Sequence, residues 1–335
     1  MKTRILMAAA LIMAAACNQI QTLEEENPNG NDGTVAVTVN INGGAETRAT
    51  GASDDKEKNV SDIQLFVFDS TGNIESYAKG SQSSFTVNIT TGYKHFIALA
   101  NCPDLGSAID SRNTMEATIS KLSDNATDKL QMVGEAYLSE VTLNSKPKVD
   151  IAVKRLVTKV AIKKVTVNFA SPYLAAKEFK IKGVYLINVV ANNNYAMKLD
   201  ESKYEWVNKL QVDLTNPAKD LTQDTGLDVT VANGSSYSTE HTFYCYPNKY
   251  TGNYTSASWC ERKTRLVVET TLGGATGYYS LELPILERNK VYTITELTIT
   301  KRGSQNPYEQ ISTADATFSI TVSDWEEGES KSVTI

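Results

Sequence analysis

The sequence predicts an all-β protein built from two tandem β-sandwich domains with few short helices. Three observations carry this expectation. Short apolar segments recur along the chain with the period-2 alternation of half-buried strands. Turn-forming residues punctuate them, as in Asp69-Ser70-Thr71-Gly72-Asn73 and Gly273-Gly274. Helical periodicity is confined to residues 104–109, 115–122 and 172–179, a turn or two each. Many short strands without long helices indicate sandwiches, and a chain of 335 residues is long enough for two.

Taken in order, residues 1–17 read as an export signal. Lys2 and Arg4 form its positive end, and the apolar run 5–16 is too short for a permanent membrane helix. Ala14-Ala15-Ala16-Cys17 resembles a bacterial lipobox, in which Cys17 is acylated and becomes the new N-terminus; the same small residues also suit ordinary signal cleavage. Residues 18–33, rich in Glu, Asn and Gly, read as a flexible tether. Strand patterns follow at 35–41, 63–68, 85–89, 95–100, 149–153 and 157–167. They continue at 179–190, 229–231, 242–246, 264–271, 278–283, 292–300 and 318–322. A boundary is expected near residues 153–160.

Little in the chain supports catalysis. His95 and His241 are the whole supply of near-neutral acid–base groups, and both sit in apolar strands where a core role is expected. No metalloprotease, nucleophile-elbow, phosphate-loop or Cys-x-x-Cys motif is present. No enzyme, cofactor or metal site is expected. A net charge of −6 argues against nucleic acid as a partner, because phosphate binding needs a concentrated basic surface. After export Cys102, Cys245 and Cys260 remain, an odd number; Cys245 and Cys260 could pair, or all three could be buried hydrophobes. Among 16 tyrosines, Tyr244, Tyr246, Tyr250 and Tyr254 cluster in one segment, where they could line a ligand loop or simply serve a strand and its edge.

The two ends of the chain are the most informative part. Val35, Val37, Val39 and Ile41 alternate with polar or small residues in one strand-like stretch. Phe318, Ile320 and Val322 do the same near the C-terminus, followed by Val333 and Ile335. Arg48 and Ala49 lie between the first stretch and the rest, in a protease-friendly run of Gly, Ala and Thr, with Lys56 and Lys58 as further basic sites. A removable first strand and a tail able to replace it suggest a subunit that polymerises. The tail is expected to stand clear of its own sandwich, with Trp325 and Glu326-Glu327-Gly328 breaking it into two strands.

Further segments then fall into place. The signal ending at Cys17, the strand 35–41, the Arg48 site, and 63–69 with its Gly72 turn resemble a Bacteroidales type V pilin of the fimbrillin family. So do 155–160, Phe243-Tyr244-Cys245-Tyr246-Pro247-Asn248, residues 286–292 and, above all, 320–328. The resemblance implies transthyretin-like sandwiches: a domain over 34–156 with removable strand 34–42 and cleavage loop 43–59, and a domain over 157–335 with a donor tail at 316–335. It further implies export as a lipidated precursor to the outer membrane, cutting after Arg48 by an arginine-specific protease, and insertion of the tail into a neighbouring subunit. Partners would be copies of itself and related fimbrial subunits in an adhesive cell-surface fimbria. A stalk role fits best, with tip or anchor subunit as variants. The alternative is a monomeric surface lipoprotein that binds glycan or protein through the tyrosine loop.

Overall fold

Period-2 alternation in the sequence becomes period-2 burial in the computed structural model, which describes residues 33–43, 57, 59–252, 254–312, 314–325 and 330–333. The first half of the fold comprises β1 (Thr34–Gly43), β2 (Ile63–Phe68), β3 (Ile74–Gly80), β4 (Ser84–Thr90) and β5 (Gly92–Ala100). After them come a short α1 (Arg112–Ala117), β6 (Ile119–Lys121), β7 (Met132–Val141) and β8 (Lys148–Arg155). Helix α1 begins earlier than the sequence suggested because Ser111 accepts a hydrogen bond from the Thr114 amide and caps it.

Seven of these strands hydrogen-bond in the order β3-β2-β5-β7-β8-β1-β4. The β7–β8 ladder is only two pairs long, Met132 with Arg155 and Val133 with Lys154. There the strands pass from one layer, β3-β2-β5-β7, to another, β8-β1-β4. Gly134 is needed at this crossing, because a Cβ there would lie 2.5 Å from the Ala152 carbonyl oxygen. Between the layers is a core of Val35, Val37, Val39, Ile41, Leu65, Val67, Phe85, Val87, Phe96, Val149 and Ile151 with their neighbours. The opposite faces of β2 and β5, carrying Phe66, Phe68, Ile97 and Leu99, join a second and larger core.

That larger core is completed by the second half of the chain. Its elements are β9 (Thr158–Ile162), β10 (Val165–Val167), α2 (Pro172–Ala175), β11 (Phe179–Ile187), β12 (Val189–Val190), β13 (Asn192–Asn194) and β14 (Trp206–Val207). Then follow α3 (Lys219–Thr222), β15 (Gln223–Thr230), β16 (Ser236–Tyr237), β17 (His241–Cys245), β18 (Arg265–Leu272), β19 (Ala275–Glu282), β20 (Lys290–Ile299), β21 (Ala316–Asp324) and β22 (Ser330–Val333). One sheet runs β15-β11-β18-β19, and another is centred on β20. The stretch 157–167, expected as one strand, is two. At Lys163–Lys164 the chain steps around an irregularity in β20, whose Ile294 carbonyl and Leu297 amide still bond to it. The stretch 179–190 is likewise interrupted at Asn188, which sits at φ 56°. The all-β sandwich class holds.

Candidate assembly site

The removable-strand candidate is an inner strand, not an edge. On one side β1 runs antiparallel to β4, with seven registered pairs from Thr34–Thr90 to Asn40–Ser84. On the other it runs parallel to β8, with six pairs from Thr38–Lys148 to Gly43–Val153. Val37 and Val39 are fully buried, Ile41 is 2% exposed and Val35 4%. Their neighbours Thr34, Ala36 and Asn42 face solvent. Polar side chains tie the far end of the ladder: Asn40 Nδ2 donates to Asp150 Oδ1 at 2.9 Å, and Asn40 Oδ1 accepts from Ser84 Oγ at 3.0 Å.

This position has a consequence for the strands on either side. β4 lies at the end of the sheet order, and among the described residues β1 is its only ladder partner. Without β1, β4 loses its ladder and β8 exposes its backbone from Lys148 to Val153. The vacancy is a slot with two hydrogen-bonding walls over an apolar floor. Such unpaired edges are templates for strand addition. Burial of four side chains at about 1.5–3 kcal/mol each is lost with the strand, some 6–12 kcal/mol.

The tail differs from the sequence expectation. Instead of standing clear of its own sandwich, β21 pairs along its length with β20, from Lys290–Asp324 to Ile299–Ala316. Ala316 is fully buried, Ile320 is 1% exposed and Trp325 7%, all within the larger core. Phe318 and Val322 are half-buried against that core. The physical reason lies in β20: its open side needs a hydrogen-bonding partner, and the alternating apolar residues of β21 supply one. Among the described residues β22 pairs only with β21, Val333 opposite Ile320. Cys17, Arg48, Ala49 and Ile335 lie outside the described residues.

The tyrosine segment is corrected in part. Tyr244 and Tyr246 are 2% and 0% exposed and belong to the core, because both faces of β17 are covered. Tyr246 shares a close hydrogen bond with Ser120, and burial pushes its phenol well above the usual range. Only Tyr254, 47% exposed, and half-buried Tyr250 remain at the surface. Tyr250 packs on Trp206, itself edge-to-face with Trp259 and Tyr204. The loop is shaped from within by buried Arg262, which donates to the carbonyls of Tyr254, Ser256, Ser258 and Cys260. The sequence reading did not single out Trp206 or Trp259.

The groups with chemical potential are engaged structurally. His95 is buried, meets Glu135 at 3.0 Å and stacks on Tyr137 at 4.2 Å. Burial lowers its imidazole pKa, partly opposed by the Glu135 carboxylate. His241 contacts Asp224 at 2.7 Å and Tyr237 at 3.1 Å. Cys102, Cys245 and Cys260 are free thiols, and burial pushes Cys102 and Cys245 up to about 12. Among the described residues no group of three or more His, Cys, Asp or Glu side chains is placed to hold a metal ion.

Comparison with known proteins bears out the resemblance drawn from the sequence. Residues 33–149 match the family described as the major fimbrial subunit protein (FimA). No curated protein matches the chain. A fimbrilin (FimA) from Porphyromonas gingivalis W83 superposes with a TM-score of 0.62 at 18% identity, covering 87% of this chain and 97% of that one. A candidate cell adhesion protein from Parabacteroides distasonis gives 0.63 at 17% identity, covering 89% and 98%. Another from Bacteroides eggerthii gives 0.60 at 17%, covering 87% and 96%. At these identities the likeness is one of fold.

Proposed function

We propose that this chain is a structural subunit of an adhesive cell-surface fimbria. It is exported as a lipoprotein anchored through Cys17, cut after Arg48 by an arginine-specific protease, and polymerised when the tail of another copy fills the place of β1. The observation that carries this reading is the burial of Val35, Val37, Val39 and Ile41 in a strand enclosed by β4 and β8. A strand so placed would be an ordinary core element were it not separated from β2 by an arginine-containing linker. Before the cut its covalent attachment keeps its effective concentration high, so it outcompetes any incoming tail. After the cut it can leave for good. In this reading the chain carries two sandwich domains, 34–156 and 157–335; the smaller core lies wholly within the first, while the larger draws on both.

Because β21 is already part of its own sheet, the portion most available for donation is the segment beyond Trp325, with Val333 and Ile335. Phe318, Ile320 and Val322 would follow only if β21 left β20. A monomeric surface binder is the weaker reading, since Tyr244 and Tyr246 are core residues and cannot reach a ligand. Comparison of processed wild type with Arg48→Ala decides between the two: a ladder from wild type supports the fimbria, and none supports the monomer. The Arg48→Ala protein is expected to accumulate as lipidated precursor and to give no SDS-resistant ladder on unboiled gels. Normal fimbriae from that variant would overturn the scheme.

A further inference from the structure

Glu57 is 4% exposed although it lies in the linker between β1 and β2, flanked in sequence by Lys56 and Lys58. A buried carboxylate is costly unless donors surround it, and here they do. Lys159 Nζ donates to its Oε1 at 2.7 Å, and the Tyr244 hydroxyl donates to the same oxygen. Trp325 Nε1 donates to Oε2 at 3.0 Å. Arg155 grips the Glu57 carbonyl with Nε at 3.2 Å and Nη2 at 2.9 Å. The Trp325 ring is packed between the same groups, stacked on Tyr244 at 5.9 Å with the Arg155 guanidinium 4.6 Å from its centroid. These donors come from β8, β9, β17 and the end of β21, four places far apart in the chain.

Two features give the arrangement a meaning beyond stability. Glu57 lies nine positions after Arg48, so in a processed chain it belongs to the new N-terminal segment. Trp325 follows directly on β21 and precedes the residues that lead to β22. One carboxylate therefore joins the linker that processing would sever to the root of the tail that polymerisation would use.

We propose that Lys159, Tyr244 and Trp325, on the carboxylate, and Arg155, on the backbone carbonyl, form a socket for Glu57 that clasps the root of the C-terminal tail and restrains its release. The consequence for assembly rests on the reading given under Proposed function; the clasp itself does not. In the resting chain the socket holds Trp325, and through it β21, against the core. After cleavage Glu57 anchors the shortened N-terminal segment, so that only residues 49–56 lie ahead of it. Departure of β21 from β20, which donation of Phe318, Ile320 and Val322 needs, then requires the Trp325 to Glu57 bond to break.

The test is amide hydrogen exchange on the full-length chain, comparing wild type with Glu57→Gln and Trp325→Phe. The E57Q change keeps the backbone carbonyl held by Arg155 but loses the charge and one acceptor. The W325F change keeps an aromatic ring and removes the donor. Exchange across residues 316–325 is expected to rise tenfold or more in E57Q and by a smaller factor in W325F, while residues 63–68 and 96–100 stay at wild-type rates. Wild-type protection of the tail in both variants overturns the clasp. So does an equal rise over the whole chain in both, since that marks general destabilisation. A second readout uses an arginine-specific protease, which spares the lysines flanking Glu57. Cut E57Q is expected to form SDS-resistant ladders several-fold faster than cut wild type, and an equal or slower rate contradicts the restraint. If wild type itself forms no ladder, the fimbrial reading fails while the exchange data still decide the clasp.

Discussion

Loosening β1 without touching Arg48 separates the strand's role from that of the proposed cut. The perturbation is Val37→Ala with Val39→Ala, two fully buried side chains on one face. Each change removes two methyl groups, about 1.6 kcal/mol of transfer free energy at ~0.8 kcal/mol per buried carbon. Incomplete collapse of the cavity raises this to about 2 kcal/mol per site. The pair should therefore cost about 4 kcal/mol, a large part of the roughly 5–15 kcal/mol that holds a domain folded. In the uncut protein this appears as a lower urea midpoint and faster amide exchange in residues 84–90 and 148–153, which flank β1. In the cut protein the same loss of about 4 kcal/mol weakens retention of the freed strand by about 10³-fold, at roughly 1.4 kcal/mol per tenfold. Ladders on unboiled gels should then form faster than with wild type. Thr38→Ser, on the opposite face, serves as control and should change neither readout. A double variant within about 0.5 kcal/mol of wild type, the ordinary scatter of surface changes, would refute the slot argument.

The tail offers a second check. Removing residues 316–335 takes Ala316, Ile320 and Trp325 out of the larger core, so loss of cooperative thermal unfolding by circular dichroism is expected. Ending the chain after Trp325 should leave the melt near wild type while abolishing donation to another copy. Retained folding in the longer truncation would return the whole tail to the role of a free arm. Acidification tests His95. Its folded-state pKa lies below 6.5, so below that pH the unfolded chain binds more protons than the folded one. The contribution is thus fully present above pH 6.5 and is lost as pH falls. The urea midpoint should drop as the pH falls below 6.5, and His95→Gln should make that drop shallower; an unchanged slope would contradict the assignment.

How much of this was legible in the sequence depended on how each element is buried. β2 was read to the residue because all six of its side chains are buried and all but Gln64 are apolar. β1 and β8 were legible because strict alternation survives in both. β7 was missed: its buried positions Met132, Val133, Gly134 and Val141 follow no period, since the strand is crossed by β8 at one end only. β3 was missed because, as an edge strand, it is half-exposed throughout and reads as loop. Tyr244 and Tyr246 stayed ambiguous for a related reason. Aromatics near a polar loop look exposed until a second layer is known to cover the other face. Glu57 gave no signal, because burial of one carboxylate among lysines depends on residues up to 268 positions away.

The topology also gives the proposed exchange a direction. β1 occupies a place with two ladders, one to β4 and one to β8. β22, by contrast, has a single ladder among the described residues, at the margin of the β20 sheet. A tail segment moving from that margin into a vacated slot gives up one row of backbone hydrogen bonds and gains two. It also exchanges a rim position for the apolar floor that Val37 and Val39 had filled. Since each net hydrogen bond is worth about 0.5–1.5 kcal/mol, an added ladder of roughly five or six bonds favours the inserted state by several kcal/mol. The direction of the donor is constrained as well. To keep both walls paired as β1 does, it must run antiparallel to β4 and parallel to β8. A peptide with the sequence of residues 33–43 should therefore compete with the tail for the slot, and blocking assembly of cut subunits with that peptide, but not with a scrambled one, is the outcome this asymmetry requires.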